Sequence, residues 1–273
     1  MATALKTSTQ SFIEHADVQP STPDSGLGSE AQSWFLKGIE HARSEEWHEA
    51  LAIFERVLEL DADNATAHYN RAVILLHLQN IEEAVSSFRR ALALNAGFQQ
   101  AYIIGGMVLV FVGRYDEAFV AFDRALARWP NLADALLGKG AALFGLNRHA
   151  EASSAFNEAA TLMPKDPHPI ELKAATQLAQ DNLDAADAEM EQLWLRHTVP
   201  EMHRTYARLL EQTARQLQRQ GRKEEARRYR GKARRAWARS AKGMWKDRED
   251  ITDQWLADLR RGWEHRSVAD SAS

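Results

Sequence analysis

From Ala31 onward, apolar residues recur in helical steps, and the steps themselves recur. Ala50, Phe54 and Leu58 stand four residues apart, and the same small, aromatic, aliphatic trio returns at Ala84, Phe88 and Leu92 and at Ala118, Phe122 and Leu126. A fourth copy reads Ala152, Phe156 and Ala160, and the interval is 34 residues each time. Residues four apart share one face of an α-helix, so each trio predicts an amphipathic helix. Its small residue leaves room for a neighbouring helix and its Phe fills the gap between them. Breakers such as Gly113-Arg114 and Leu146-Asn147 divide each period into two antiparallel helices. One such hairpin cannot bury its own apolar face, so consecutive hairpins are expected to stack. Four full units follow, over 31–64, 65–98, 99–132 and 133–166.

The pattern weakens on either side. Residues 1–30 hold Ser, Thr, Pro and Gly with few large apolar groups, and are expected to form a mobile tail that cannot offset its ordering entropy. A fifth unit, 167–200, is degenerate: Ala174, Ala186 and Met190 keep the small/large alternation, but the Phe is lost and prolines crowd its start. A basic helical hairpin is expected over 201–248, turning at Gly221 and packing through Ala226 and Ala233. The last segment, 249–273, reads as an amphipathic helix and tail whose Ile251, Trp255, Leu259 and Trp263 recur every four residues.

The residues that open and close the units carry a resemblance. Trp34 and Gly38 open the first unit, Tyr102 and Gly106 the third and Gly140 the fourth, with Ala72 in place of the second unit's glycine. Pro130 and Pro164 close the third and fourth units, where Ala62 and Ala96 stand in the first two. Together with the Ala/Phe pairs, this resembles the tetratricopeptide repeat. The resemblance implies an all-α fold, a right-handed superhelical solenoid of tetratricopeptide-type helical hairpins with C-terminal capping helices. It also implies that the first helix of each unit lines a concave, peptide-gripping surface. In that register the groove would be lined by Phe35, Ile39, Tyr69, Asn70, Val73, Leu76, His77, Ile103, Ile104, Met107, Val110, Phe111, Leu137, Ala141 and Phe144. The family's best-known site is a clamp of Lys, Arg and Asn for the acidic tail of a heat-shock chaperone. Phe35, Ile39, Asn70, Gln100 and Ile104 occupy the matching positions, and only Asn70 corresponds.

An apolar groove suits a protein or peptide with an apolar or amphipathic segment, through burial worth roughly 25 cal/mol per Å². The resemblance implies that Asn70 hydrogen-bonds a bound backbone, and His77 reads as an exposed bystander. Three other readings stay open: that these side chains are simply core, that the C-terminal helix occupies the groove, and that it docks into a second copy to build a homo-oligomer.

Charge changes this picture at one end. Residues 1–200 carry 15 Lys+Arg against 27 Asp+Glu, whereas residues 201–246 carry 15 against 4. Arg219, Arg222, Arg227, Arg230, Arg234 and Arg239 would form a basic surface for an acidic protein face, a phosphate backbone or anionic lipid. No nucleic-acid fold accompanies them, so nucleic acid is not the expected partner. The chain's 273 residues include no cysteine, which removes disulfides, thiolate zinc sites and Cys nucleophiles. Ten histidines are scattered without metal-ligand spacing, and no phosphate loop, nucleophile elbow or apolar carboxylate pair is present. No catalytic residue, metal or cofactor is expected. With no apolar run long enough to cross a membrane and no signal-peptide pattern at the start, the expected location is the cytoplasm.

Overall fold

The computed structural model describes residues 16–19, 29–166, 168–180, 182, 184–186, 188–189 and 200–245. The chain folds as two compact units, residues 1–186 and 187–273. The predicted stripe Ile251, Trp255, Leu259 and Trp263, and the side chain of Arg239, lie outside the described residues. Among the described residues there is no strand, and no helix is long and apolar enough to cross a membrane.

The first unit is a run of helical hairpins. Helices α1 (Ser29–Arg43) and α2 (Trp47–Leu60) form the first, α3 (Ala65–His77) and α4 (Ile81–Leu94) the second. The third is α5 (Gln99–Phe111) with α6 (Tyr115–Arg128), the fourth α7 (Ala133–Gly145) with α8 (His149–Leu162), and α9 (His168–Ala179) follows. The turn inside each hairpin repeats one backbone device. Glu45, Gln79, Gly113 and Asn147, each 34 residues from the next, have φ of +60°, +61°, +80° and +60°. Past each of them an amide reaches back five residues, as Asn80 N–H does to the Leu75 carbonyl and Arg114 N–H to that of Leu109, both at 2.8 Å. This is a left-handed helix terminus that satisfies carbonyls the helix leaves open. Between hairpins, the Asn64 carboxamide accepts the Ala67 N–H at 2.8 Å and caps α3.

The second helices pack as their periodicity predicts. Ala50, Phe54, Ala84, Phe88, Ala118, Phe122, Ala152 and Phe156 are all buried. The third buried residue of each trio is one position earlier than the aliphatic of the sequence pattern: Val57, Ala91, Ala125 and Ala159 are fully buried, while Leu58, Leu92, Leu126 and Ala160 are half-buried. A step of three after the Phe keeps closer to the helix period than a second step of four. The glycines of the first helices meet these rings. A Cβ on Gly106 would lie 2.5 Å from Phe122 Cζ and one on Gly138 only 2.1 Å from the same atom, so Phe122 is held between two helices that both need glycine there.

The second unit, described by itself, is a hairpin of α10 (Pro200–Arg219) and α11 (Lys223–Trp245) turning at Gly221, whose φ is +80°. Ala207, Leu210, Ala214 and Leu217 of α10 and Ala226, Tyr229, Ala233 and Ala236 of α11 are buried, and Trp237 Nε1 donates to Glu211 Oε1 at 3.0 Å. Small residues dominate this seam, so the two helices approach closely.

Candidate functional site

Asn70 is the fully buried carboxamide of the first unit, at 0% exposure. A buried amide left without partners costs about 1–3 kcal/mol, so its partners matter. They come from residues 16–19. Asn70 Oδ1 accepts the Gln19 N–H at 2.7 Å, and Asn70 Nδ2 donates to the Gln19 carbonyl at 2.9 Å. Tyr69 Oη donates to the Asp17 carbonyl at 3.3 Å, and His77 Nε2 lies 3.4 Å from the carbonyl oxygen of Ala16. Along this segment burial alternates: Ala16 and Val18 are buried, Asp17 is exposed and Gln19 is half-buried. An alternation of period two is the signature of extended chain. The α3 face therefore holds main-chain groups by polar side chains, while alternate side chains of the segment are buried.

Aromatic packing fixes the polar groups in place. Tyr69 stacks on Phe98 at 4.7 Å and meets Phe88 edge-on at 5.7 Å. Burial pushes its phenol up to about 12, keeping it a neutral donor. His77 lies flat on Trp47 with ring centroids 3.9 Å apart. It is thus half-buried and oriented toward the segment rather than an exposed bystander, because the first residue of α2 covers one face of its ring.

The other residues expected to line a groove are placed differently. Phe35, Ile39, Val73, Leu76, Ile103, Ile104, Met107, Val110, Leu137 and Ala141 are all buried, and Phe111 and Phe144 are half-buried. Phe35 meets Phe54 edge-on at 5.3 Å. Residues 16–19 lie in the stretch expected to be a tail. The signal that marks them is the alternation Ala16, Asp17, Val18, Gln19 ahead of Pro20, too short to weigh without knowing what it would pack against.

The pattern described as Tetratricopeptide repeat matches residues 35–97 and 105–167. Residues 35–97 and 105–167 are thus tetratricopeptide repeats. Solved structures of similar fold include MamA 41-end from Desulfovibrio magneticus RS-1, 19% identical, with a TM-score of 0.59 over 63% of this chain and 97% of that one. MamA MSR-1 aligns at 20% identity and a TM-score of 0.54, covering 62% of this chain and 97% of its own. No curated protein matches the sequence. At these identities the neighbours show the fold, an all-α stack of tetratricopeptide-type hairpins, which is in general a protein-interaction scaffold.

The repeats differ at one equivalent position. Arg71, Lys139 and Lys173 occupy the same place in the second, fourth and fifth repeats, and each bonds to the residue 16 before it: Glu55 at 3.0 Å, Asp123 at 2.6 Å and Asn157 at 3.0 Å. The third repeat has Gly105 there, facing Phe88. Arg89, 16 residues before it, pairs instead with Glu117, which also accepts from Arg114 Nε at 2.7 Å. Beside Gly105 lies a cleft of about 480 Å³ among α4, α5 and α6, lined by Phe88, Leu92, Tyr102, Leu109 and Val120.

On the second unit's hairpin Arg219, Arg227, Arg230 and Arg234 are exposed. Arg222 is half-buried and holds Glu225 at 2.6 Å, and Arg230 bonds to Gln218. Among the described residues no group of three or more His, Cys, Asp or Glu could hold a metal ion.

Proposed function

We propose that the tetratricopeptide repeats of this chain form a scaffold that takes an extended, apolar segment of a client protein on the α3 face. The observation that carries this reading is Asn70, whose amide accepts an N–H and donates to a C=O of one and the same residue. Such two-point pairing reads backbone, as a neighbouring strand would, and is indifferent to the side chain of the residue it holds. Specificity then falls to the alternate positions, where a small and a β-branched residue are buried. The reading favours an extended ligand over a helical one, since a helix spends its own N–H and C=O groups internally.

An array of twelve-residue peptides probed with a full chain carrying Val18→Asp, which keeps its own residues 16–19 off the face, and with that chain carrying Asn70→Ala as well tests this. Bound sequences should carry small or β-branched apolar residues two apart and should lose at least about tenfold in affinity with Asn70→Ala, the loss of two buried hydrogen bonds. Equal binding by the two proteins would refute the role of Asn70.

The exposed arginines of the α10–α11 hairpin support a second, separate surface for an acidic protein face. Its signature would be binding that weakens steeply between low and moderate salt, while peptide binding at Asn70 does not.

A further inference from the structure

We infer that residues 16–19 are a built-in occupant of the α3 face, so that an outside polypeptide is held there only after the chain's own N-terminal segment leaves. The inference rests on the peptide-binding reading above and adds what holds the site first. Four contacts seat the segment: the paired bonds between Asn70 and Gln19, the Tyr69 hydroxyl on Asp17, and His77 beside Ala16. Two side chains anchor it, Ala16 at 7% exposure and Val18 at 8%. The segment therefore spells the ligand that the face accepts: a small residue, an outward residue, a β-branched residue, and then a residue with a free N–H. Proline at that fourth place would leave Asn70 Oδ1 without a donor. Pro20, one step later, instead favours an extended conformation at Gln19, the geometry in which Gln19 meets Asn70.

The segment is also tethered. Residues 20–28 join it to α1, which starts at Ser29, and each residue spans at most about 3.5 Å. A short tether holds its cargo at an effective concentration on the order of millimolar, far above that of a client in solution. A competing segment of equal intrinsic affinity is shut out unless it brings further contacts. The seated segment thus sets a threshold that longer or better-matched ligands cross and short apolar stretches do not.

The decisive variant is Val18→Asp in the full chain, which places a charge where the segment buries a side chain and leaves every residue of the repeats unchanged. The probe is a labelled synthetic peptide of residues 12–24 with the wild-type sequence. We expect the Val18→Asp chain to bind this peptide at least about tenfold tighter than the wild-type chain, the factor that follows if the segment is seated in about nine of ten molecules. The Gln19 amide should exchange slowly with solvent in the wild type and fast in Val18→Asp, and a Val18→Asp/Asn70→Ala chain should lose the peptide again. Equal affinity of wild type and Val18→Asp would overturn the inference and leave the peptide-binding reading standing. Failure of both chains to bind would overturn both. A wild-type dimer that Val18→Asp converts to monomer would show that the occupant comes from a second copy and would overturn the intrachain assignment.

Discussion

Helices α3 and α5 are the first helices of successive repeats, yet they do different work on the same backbone. Tyr69, Asn70, Val73 and His77 of α3 correspond, 34 residues on, to Ile103, Ile104, Met107 and Phe111 of α5. The α3 set holds three polar groups, all with atoms at the main chain of residues 16–19. The α5 set holds none, and the helix is buried without a break from Ala101 to Val110. The two also differ one turn along. Ala72 of α3 becomes Gly106 in α5, because Phe122 lies against the latter with no room for a methyl group. One repeat scaffold therefore supports a backbone-reading face in one unit and a close-packed wall in the next, and the choice lies in three or four side chains.

Four comparisons would break or sharpen this contrast, and the largest effect is steric. Gly106→Ala should destabilise the first unit by about 3 kcal/mol, since its methyl would lie 2.5 Å from Phe122 Cζ, an atom that also lies against Gly138. The reverse change at the matching site, Ala72→Gly, should cost only about 1 kcal/mol of helix propensity. Urea unfolding of the two variants measures the difference, and equal losses would mean that the third repeat is no more tightly packed than the second.

Exchanging the polar identities comes next. Ile104→Asn buries a carboxamide among apolar neighbours and should cost about 2 kcal/mol, whereas Asn70→Ile should cost about 1 kcal/mol and free the Gln19 amide to exchange with solvent. Hydrogen exchange at Gln19 together with denaturant midpoints reads both. A slow Gln19 amide in Asn70→Ile would show that the segment does not depend on Asn70.

Tyr69 supplies a pH test with a definite sign. Its folded-state value, raised to about 12 by burial, lies above the unfolded value near 10, so the folded state keeps the proton longer. The contribution is fully present below pH 10 and is lost as pH rises toward 12, amounting to about 3 kcal/mol. Tyr69→Phe should flatten that part of the stability profile. A variant with the same alkaline slope as wild type would remove Tyr69 as its cause.

The smallest effect lies in the turns. Gln79 and Gly113 hold the same left-handed place, with φ of +61° and +80°, and a Cβ at Gly113 would meet nothing within 4 Å. Gln79→Gly should gain about 0.5 kcal/mol and Gly113→Ala should lose about 1 kcal/mol, a difference set by backbone conformation alone. Thermal midpoints shifting in the same direction for both would contradict it.

Much of this architecture was legible from residue spacing. The Ala/Phe recurrence marks the second helices, and Gly113, Asn147 and Gly221 mark turns that do take left-handed backbone. Asn70 is a polar residue in an apolar band, and the backbone contact expected of it comes from the tetratricopeptide resemblance, which places an Asn there. What spacing did not reveal were the partners. Val57, Ala91, Ala125 and Ala159 are the buried third residues, because helix packing follows three-residue as well as four-residue steps. His77 reads as exposed from spacing alone because its shield, Trp47, is 30 residues away in sequence. Residues 16–19 were hidden in a polar stretch because four residues of alternation carry little weight without the surface they meet.

By itself, then, the sequence determined the local and periodic features: which segments are helices, where they turn, and that each hairpin must stack on the next. These follow from side-chain size and period, which are properties of short stretches of chain. Only the tertiary structure decided that Phe122 closes on two glycines from different helices, that Gly105 borders a cleft, and that Asn70 spends its amide on Gln19. Each of those depends on which atoms fill the space beside a residue, and residues distant in the chain supply them. Asn70 and Gln19 are 51 residues apart, a separation across which no periodicity carries information.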